Sequence, residues 1–452
     1  MEWISNVVQM MNKVLWDYAL LFLLCGTGIW FTVRLRFVQV RRFKDGWNKT
    51  FGGLIGKGDK AGKGGISSFQ ALTTAIAAQV GTGNLAGAAT AIAAGGPGAI
   101  FWMWLSAFLG MATIYAEALM AQKYKVVKDG EVTGGPVYYI RGAFQGRFGK
   151  ILAAIFSVLI IFALGFMGNA VQANSIGDAF ATAFGIQPVV VGVCVAAIAF
   201  FIFAGGITRI AKVTEKMVPL MAFFYIIGAL IVIGIHFREI PHAFYSIIVG
   251  AFQPQALAGG VIGVTVQKAM RYGVARGLFS NEAGMGSTPH AHAIANVEHP
   301  GDQGCVAIIS VFIDTFVVLS LTALVVITTG VMRPDGSLIG TALTQAAFSS
   351  VFGHFGNIFI AVCMFFFAFS TVIGWYFFGE TNVKYLFGPK AVKVYAIIVC
   401  VMIVVGSALK VELVWNMADA FNGMMVIPNL IALLALTGTV VKVSGEYDKK
   451  RP

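Results

Sequence analysis

Apolar stretches of about 20 residues or more recur along almost the whole chain, separated by short polar loops. A helix rises about 1.5 Å per residue, so a run of that length crosses the hydrocarbon core of a bilayer. By this measure about eleven spans are expected, over 15–35, 67–93, 97–122, 149–184, 188–204, 210–235, 255–279, 303–330, 354–386, 391–409 and 413–441. The reading is an all-α polytopic membrane protein, a single transmembrane domain over 1–452. Composition agrees: only 12% of the residues are charged, against about 25% in soluble domains. The spans at 149–184 and 354–386 are longer than a crossing requires and should tilt. Lys13 is the only basic residue before the first apolar run, and no convincing cleavage site follows it. A retained helix is therefore expected rather than a signal peptide.

The net charge of +12 does not indicate nucleic acid, because the basic residues fall in alternate loops. The segment after the first span holds Arg34, Arg36, Arg41, Arg42, Lys44, Lys49, Lys57, Lys60 and Lys63. Later alternate loops hold Lys123, Lys125, Lys128, Arg141, Arg147 and Lys150, then Arg209, Lys212 and Lys216, then Arg271 and Arg276, then Lys384, Lys390 and Lys393. The tail ends Lys449-Lys450-Arg451. Basic loops face the cytoplasm, so the expected orientation in the cell (inner or plasma) membrane puts the N-terminus outside and the C-terminus inside. Cys25, Cys194, Cys305, Cys363 and Cys400 lie in or beside apolar stretches without CxxC or CxH spacing, and read as small hydrophobes.

With the first span set aside, ten remain and divide into two fives, 67–235 and 255–441, leaving 442–452 as a cytoplasmic tail. The first span of each five is interrupted by glycine: Gly81 and Gly83 in one, Gly259, Gly260 and Gly263 in the other. The third span of each is the overlong one, preceded by a short apolar-aromatic stretch, near Val137–Phe144 and Thr341–Phe352. Five is odd, so the halves insert in opposite senses, the pattern of inverted-repeat transporters with a site at the bilayer midplane.

A break in a membrane helix frees backbone groups that lipid cannot satisfy, so it lines a cavity or binds something. Past the break, the N-terminus of the second half-helix carries open amides and partial positive charge, suited to a carboxylate. Before it, carbonyls can ligate Na⁺ or an ammonium. The first break reads Ala77-Ala78-Gln79-Val80-Gly81-Thr82-Gly83-Asn84. Within 259–267 the second carries no acidic residue, so an amino group there must rely on carbonyls and amide side chains. A small zwitterion fits this better than a large cation.

Four motifs resemble the alanine or glycine:cation symporter family: Gly81-Thr82-Gly83-Asn84-Leu85-Ala86-Gly87, Gly95-Gly96-Pro97-Gly98-Ala99-Ile100-Phe101-Trp102-Met103-Trp104, Gly134-Gly135-Pro136-Val137-Tyr138-Tyr139 and Tyr272-Gly273-Val274-Ala275-Arg276-Gly277-Leu278-Phe279-Ser280-Asn281-Glu282-Ala283-Gly284. The resemblance implies Na⁺-coupled uptake of alanine, glycine or a similar small amino acid on the leucine-transporter fold, a 5+5 inverted repeat here preceded by one extra helix. Val80-Gly81-Thr82-Gly83-Asn84 is also similar to the first broken helix of the neurotransmitter:sodium symporters. On that pattern Ala77 and Val80 are Na⁺ ligands, completed by Phe367, Ser370 and Thr371 of the eighth core span. Ser and Thr side by side in a helix also commonly bond back to helix carbonyls. For the substrate, the resemblance points to Gly81, Thr82, Gly83 and Asn84, to Gln172, to Gly263, Val264 and Thr265, and to Trp375. Gln172 alternatively serves a helix–helix hydrogen bond, and Trp375 an interfacial belt or a cap that excludes longer side chains.

Glu117, Asp178, Asp314 and Asp419 lie in or near spans. The first two are expected near the surface, the last two paired with Arg or Lys. Glu282, His290 and His292 follow a span end; a gating or packing segment with an Arg276–Glu282 ion pair is favoured over a metal site. No HExxH, GxSxG, Walker or Rossmann pattern occurs, which argues against an enzyme, and the repeat argues against a channel. Proton coupling on the same fold is the alternative to Na⁺.

Overall fold

Because lipid offers the backbone no hydrogen-bond partner, nearly every described residue is helical; the computed structural model describes residues 2–55, 65–128, 130–253, 265–332 and 338–450. Helix α1 (Asn6–Arg34) is followed by α2 (Phe43–Ile55), α3 (Ser68–Gln79), α4 (residues 83–95), α5 (Gly98–Lys123) and the short α6 (Pro136–Ala143). Then come α7 (Gly146–Phe184), α8 (Pro188–Phe203), α9 (Gly206–Ile235), α10 (Ile240–Phe252) and α11 (Val266–Asn281). The last six are α12 (Pro300–Thr329), α13 (Gly340–Phe352), α14 (His354–Phe387), α15 (Val392–Ala408), α16 (Val411–Ala435) and α17 (Thr437–Lys450). The strands Val126–Lys128 and Glu131–Thr133 pair antiparallel, Val127 opposite Val132, in the loop before α6.

The helix ends follow local chemistry. Ser67 and Gln70 form a reciprocal capping box at the start of α3. Proline opens α6, α8 and α12, where its missing N–H costs nothing. Among the described residues, eight helices are long and apolar enough to cross a membrane, and α8 is a shorter apolar helix. Helices α3 and α4 are two half-helices separated by residues 80–82.

Helices α4, α5, α11 and α12 pack as one group, and α7, α8, α14 and α15 as another. Helix α3 bridges them against α9 and α14. The overlong α7 and α14 run side by side, each preceded by a short helix where the apolar-aromatic stretches stand.

Several boundaries differ from expectation. The span expected over 255–279 is the helix Val266–Asn281, and its partner is α10, over a stretch read as a loop. Pro241 at its start favours helix initiation over a loop. Arg271 and Arg276 lie within α11 rather than in a basic loop. Acids from neighbouring helices pair them: Asp17 of α1 at 2.7 Å from Arg271, and Asp419 of α16 with Arg276. The expected Arg276–Glu282 pair is therefore not formed. The last expected span splits at Leu436 into α16 and α17. Helix α17 lies against α5 and α12 and ties back by Asp448, which pairs with Arg41 and Arg42 at 2.8 and 2.7 Å.

Candidate functional site

Helix α3 ends at Gln79; Val80 leaves the helical region with ψ 86°, and the chain re-enters helix through a π turn over Gly83–Gly87. Every residue from Ala71 to Ala89 is buried, so the freed backbone groups find partners inside the protein. Gly81 N–H donates to Asn84 Oδ1 at 2.9 Å, and Thr82 N–H to Gln172 Oε1 at 3.1 Å. These are the open amides of the second half-helix, met here by two amide side chains. The Thr82 hydroxyl is buried and has no partner among the described residues.

Directly before the break, four oxygens from two helices converge. The Ala77 carbonyl lies 3.2 Å from Ser370 Oγ and 3.0 Å from Thr371 Oγ1. Both hydroxyls also reach the Phe367 carbonyl, at 2.8 and 3.2 Å. The back-bonding habit of Ser and Thr is thus present, and the same hydroxyls reach across to α3. Two glycines make this approach possible. A Cβ on Gly374 would meet the Ala78 Cβ and backbone at 3.0–3.2 Å, and one on Gly81 would collide with Thr371 Oγ1. An oxygen-only cage of this kind suits a hard monovalent cation. Val80 stands at the end of the same half-helix, its N–H bonded to Ile76 O at 2.7 Å.

Gln172 reaches the break from α7, one turn beyond a π segment over Ile161–Gly168. Its neighbours in the polar patch serve helix contacts: Asn169 bonds Gly165 O, and Asn174 bonds Gly406 O and Leu409 O of α15 and its end. Trp375 is buried, edge-on to Phe279 with centroids 5.6 Å apart, and its ring lies against Gly168. Its indole N–H donates to Glu282 Oε1. Thr265 instead is exposed and caps α11, accepting from Lys268 N–H at 3.2 Å. Gly259, Gly260, Gly263 and Val264 lie outside the described residues.

The structure adds residues that sequence reasoning left without a role or did not name. Asp314 of α12, expected to pair with Arg or Lys, instead accepts from Asn84 Nδ2 at 2.7 Å and from Ser280 Oγ at 2.9 Å. Gln79 Nε2 donates to Asn281 O at 2.7 Å, joining α3 to the end of α11. Glu117, expected near the surface, is fully buried; it accepts from Gly284 N–H and Gly286 N–H, both at 2.9 Å, and from Asn429 Nδ2 at 2.6 Å. The tertiary reason is that segment 282–299 folds back under α5 and α16 instead of projecting into solvent.

A helix-broken site between two packed helix groups, lined by paired amides and an oxygen cage, defines a membrane transporter of the leucine-transporter fold. The crystal structure of MhsT in complex with L-phenylalanine has this fold: it superposes with a TM-score of 0.56 at 12% identity, covering 85% of this chain and 99% of that one. The chain belongs to the sodium:alanine symporter family, whose profile matches residues 1–452. The sodium/alanine symporter AgcS of Methanococcus maripaludis is 42% identical over 100% of this chain and 98% of its own length. The probable sodium/glutamine symporter GlnT of Bacillus subtilis is 40% identical over 99% of this chain and 91% of its own. The chain is accordingly a transporter rather than an enzyme.

Proposed function

We propose that this protein carries small neutral amino acids, alanine and glycine, into the cell together with Na⁺ by alternating access. The observation that carries the reading is the first break, where an oxygen cage on one side and backbone amides on the other lie within a few residues. Ala77, Phe367, Ser370 and Thr371 hold Na⁺, with Val80 at the end of the same half-helix. The substrate carboxylate takes the place of the Gln172 oxygen at Thr82 N–H and meets the free Thr82 hydroxyl, with Gly81, Gly83 and Asn84 shaping the floor. Trp375, fixed by Gly168, Phe279 and Glu282, closes the pocket against longer side chains. The name of AgcS supports alanine.

The transmembrane domain divides into the extra helix, a first repeat over 67–235 and a second over 255–441, with the N-terminus outside and the C-terminus cytoplasmic. Purified protein in proteoliposomes, given labelled alanine or glycine with Na⁺ and pH gradients imposed separately, tests the reading. Accumulation is expected with an inward Na⁺ gradient and not with a pH gradient alone. Uptake driven by the pH gradient without Na⁺ would instead make the protein a proton symporter of the same fold.

A further inference from the structure

Between the end of α1 and the start of α2 the chain turns through a left-handed elbow. Arg36 and Phe37 both have φ 55°; among the described residues, Glu282 is the one other non-glycine with a positive φ. Left-handed backbone is unfavourable for a residue with a Cβ, so two in succession need outside support. Neighbours inside the protein supply it. Phe37 N–H donates to Thr32 O at 2.7 Å, and the buried Gln39 side chain bonds Thr32 Oγ1 at 3.0 Å and Phe108 O of α5 at 3.4 Å. One helical turn, Val38–Arg41, then leads into α2. The turn that buries Val38 and Gln39 sends Phe37 and Val40 outward, 54% and 60% exposed.

Charge is concentrated around the same elbow. Residues 34–49 hold six cations and one acid. Three of the cations have acidic partners: Arg41 and Arg42 share Asp448 of α17, Arg42 also meets Asp45, and Lys49 lies 2.8 Å from Asp302. Arg34, Arg36 and Lys44 are exposed and have no acidic partner among the described residues. Arg34 lies over the Trp30 ring, 5.4 Å from its centroid, which leaves Arg36 and Lys44 uncommitted. Arg41 folds back to donate to Leu35 O at 3.4 Å, so its guanidinium stands beside them. Trp47 is one turn from Lys44 on α2 and 43% exposed, and its indole N–H has no partner among the described residues.

This combination of chemistries selects its occupant. A phosphodiester is an anion with several acceptor oxygens, which guanidinium and ammonium groups can share. A soluble anion uses the charge and leaves Phe37 and Val40 uncovered. A phosphatidylcholine headgroup covers them but brings its own cation against Arg36 and Lys44. An anionic phospholipid uses both, and tryptophan favours the boundary between its headgroup and its chains.

We propose that this elbow binds the headgroup of an anionic phospholipid, with Arg36 and Lys44 on the phosphate, Trp47 at the glycerol level, and Phe37 and Val40 among the acyl chains. Bound lipid steadies α2 against α12. The two helices are pressed together at Gly46, where a Cβ would collide with Cys305 O, and Phe43 packs edge-on to Phe312 with centroids 4.9 Å apart.

Purified protein in detergent is titrated with short-chain phosphatidylglycerol, short-chain phosphatidylcholine or glycerol phosphate while Tm is followed. Phosphatidylglycerol is expected to raise Tm and the other two are not. Arg36→Gln/Lys44→Gln should match the wild-type Tm without lipid, since neither side chain has an acidic partner to lose. It should need roughly 30-fold more phosphatidylglycerol for half the effect, about fivefold per cation. Lys212→Gln/Lys216→Gln removes two exposed cations from the start of α9 and should respond as the wild type does. No Tm rise with phosphatidylglycerol, or an equal rise with phosphatidylcholine, overturns the proposal. So does an equal rise with glycerol phosphate, which would mark a site for soluble anions. Equal weakening in the two double variants overturns it as well, because the attraction would then belong to the whole basic face and not to the elbow. Neither alanine nor Na⁺ enters the measurement, so its outcome is independent of the transport reading.

Discussion

At the first break, Gly81 is under a steric constraint. Gly81 has neither space nor need for a side chain, since a Cβ there collides with Thr371 Oγ1 and lies 3.1 Å from Gln172 Oε1. Gly81→Ala must push Thr371 away from Ala77 and Gln172 away from Thr82 N–H, disturbing ion and amide contacts together. Overpacking of this kind costs about 1–3 kcal/mol, which a transporter of this size can survive while its Na⁺ cage cannot. We expect Gly81→Ala to fold and to lose more than about 90% of Na⁺-driven uptake. Gly438→Ala, where nothing lies within 4 Å of the added methyl, should transport normally. Equal uptake by the two variants would remove Gly81 from the site. The residues around this break were legible because polar groups in an apolar run need a reason. The contacts of Asp314 were not, since its partners Asn84 and Ser280 are 230 and 34 residues away along the chain.

The elements themselves were legible where they are long and apolar, and the overlong α7 and α14 are the clearest cases. What hydropathy could not show is how loops fold back into the protein. Segment 282–299, read as a gating or packing segment after a span end, carries His290 and His292, both buried. His290 stacks between Phe156 and Phe378; its Nδ1 bonds Ser287 O at 2.7 Å and its Nε2 faces Asn382 Nδ2 at 2.9 Å. Asn382 Nδ2 also donates to Phe378 O, so Nε2 must accept and the ring is neutral. His292 is held by the Gln303 side chain, which in turn bonds Ser68 at the start of α3. Burial lowers both imidazoles to about 4. The unfolded chain, at about 6.5 per histidine, then binds more protons than the folded one between those values, so stability rises with pH across this window. The contribution is complete above about pH 6.5 and is lost as pH falls toward 4, on the order of 3 kcal/mol per histidine. Melting curves from pH 7.5 to 5 should show Tm falling with acid, and His290→Gln, which can still accept from Asn382, should make the fall shallower. Parallel slopes would mean the histidines are not what titrates.

For the whole molecule, charge and hydropathy give crossings and a sidedness, but not which face the pathway meets. Part of that sidedness rested on Arg271 and Arg276, which α11 places inside the protein beside Asp17 and Asp419. Segments beside three of the remaining basic loops, at Lys128, Thr208 and Lys384, border one opening. A cavity of about 550 Å³ is lined by the exposed or half-buried Lys128, Glu131, Thr208, Lys384 and Tyr385 and by the buried Phe377. Lys384 stands at the mouth, 2.8 Å from Glu380 and 3.9 Å from Glu131 on the hairpin. If alternating access operates in the proposed orientation, this is the cytoplasmic exit, and closing it moves the hairpin against the end of α14. Replacing Cys25, Cys194, Cys305, Cys363 and Cys400 gives a background in which Thr208→Cys, at the exposed wall, and Phe377→Cys, at the buried wall, can be labelled alone. A membrane-impermeant maleimide should reach both in inside-out vesicles and neither in right-side-out ones. Na⁺ with alanine should slow labelling of Phe377→Cys far more than of Thr208→Cys, because bound cargo covers the buried wall first. Labelling from the outer face would reverse the orientation, and equal slowing at both positions would mean that the cavity is not continuous with the site.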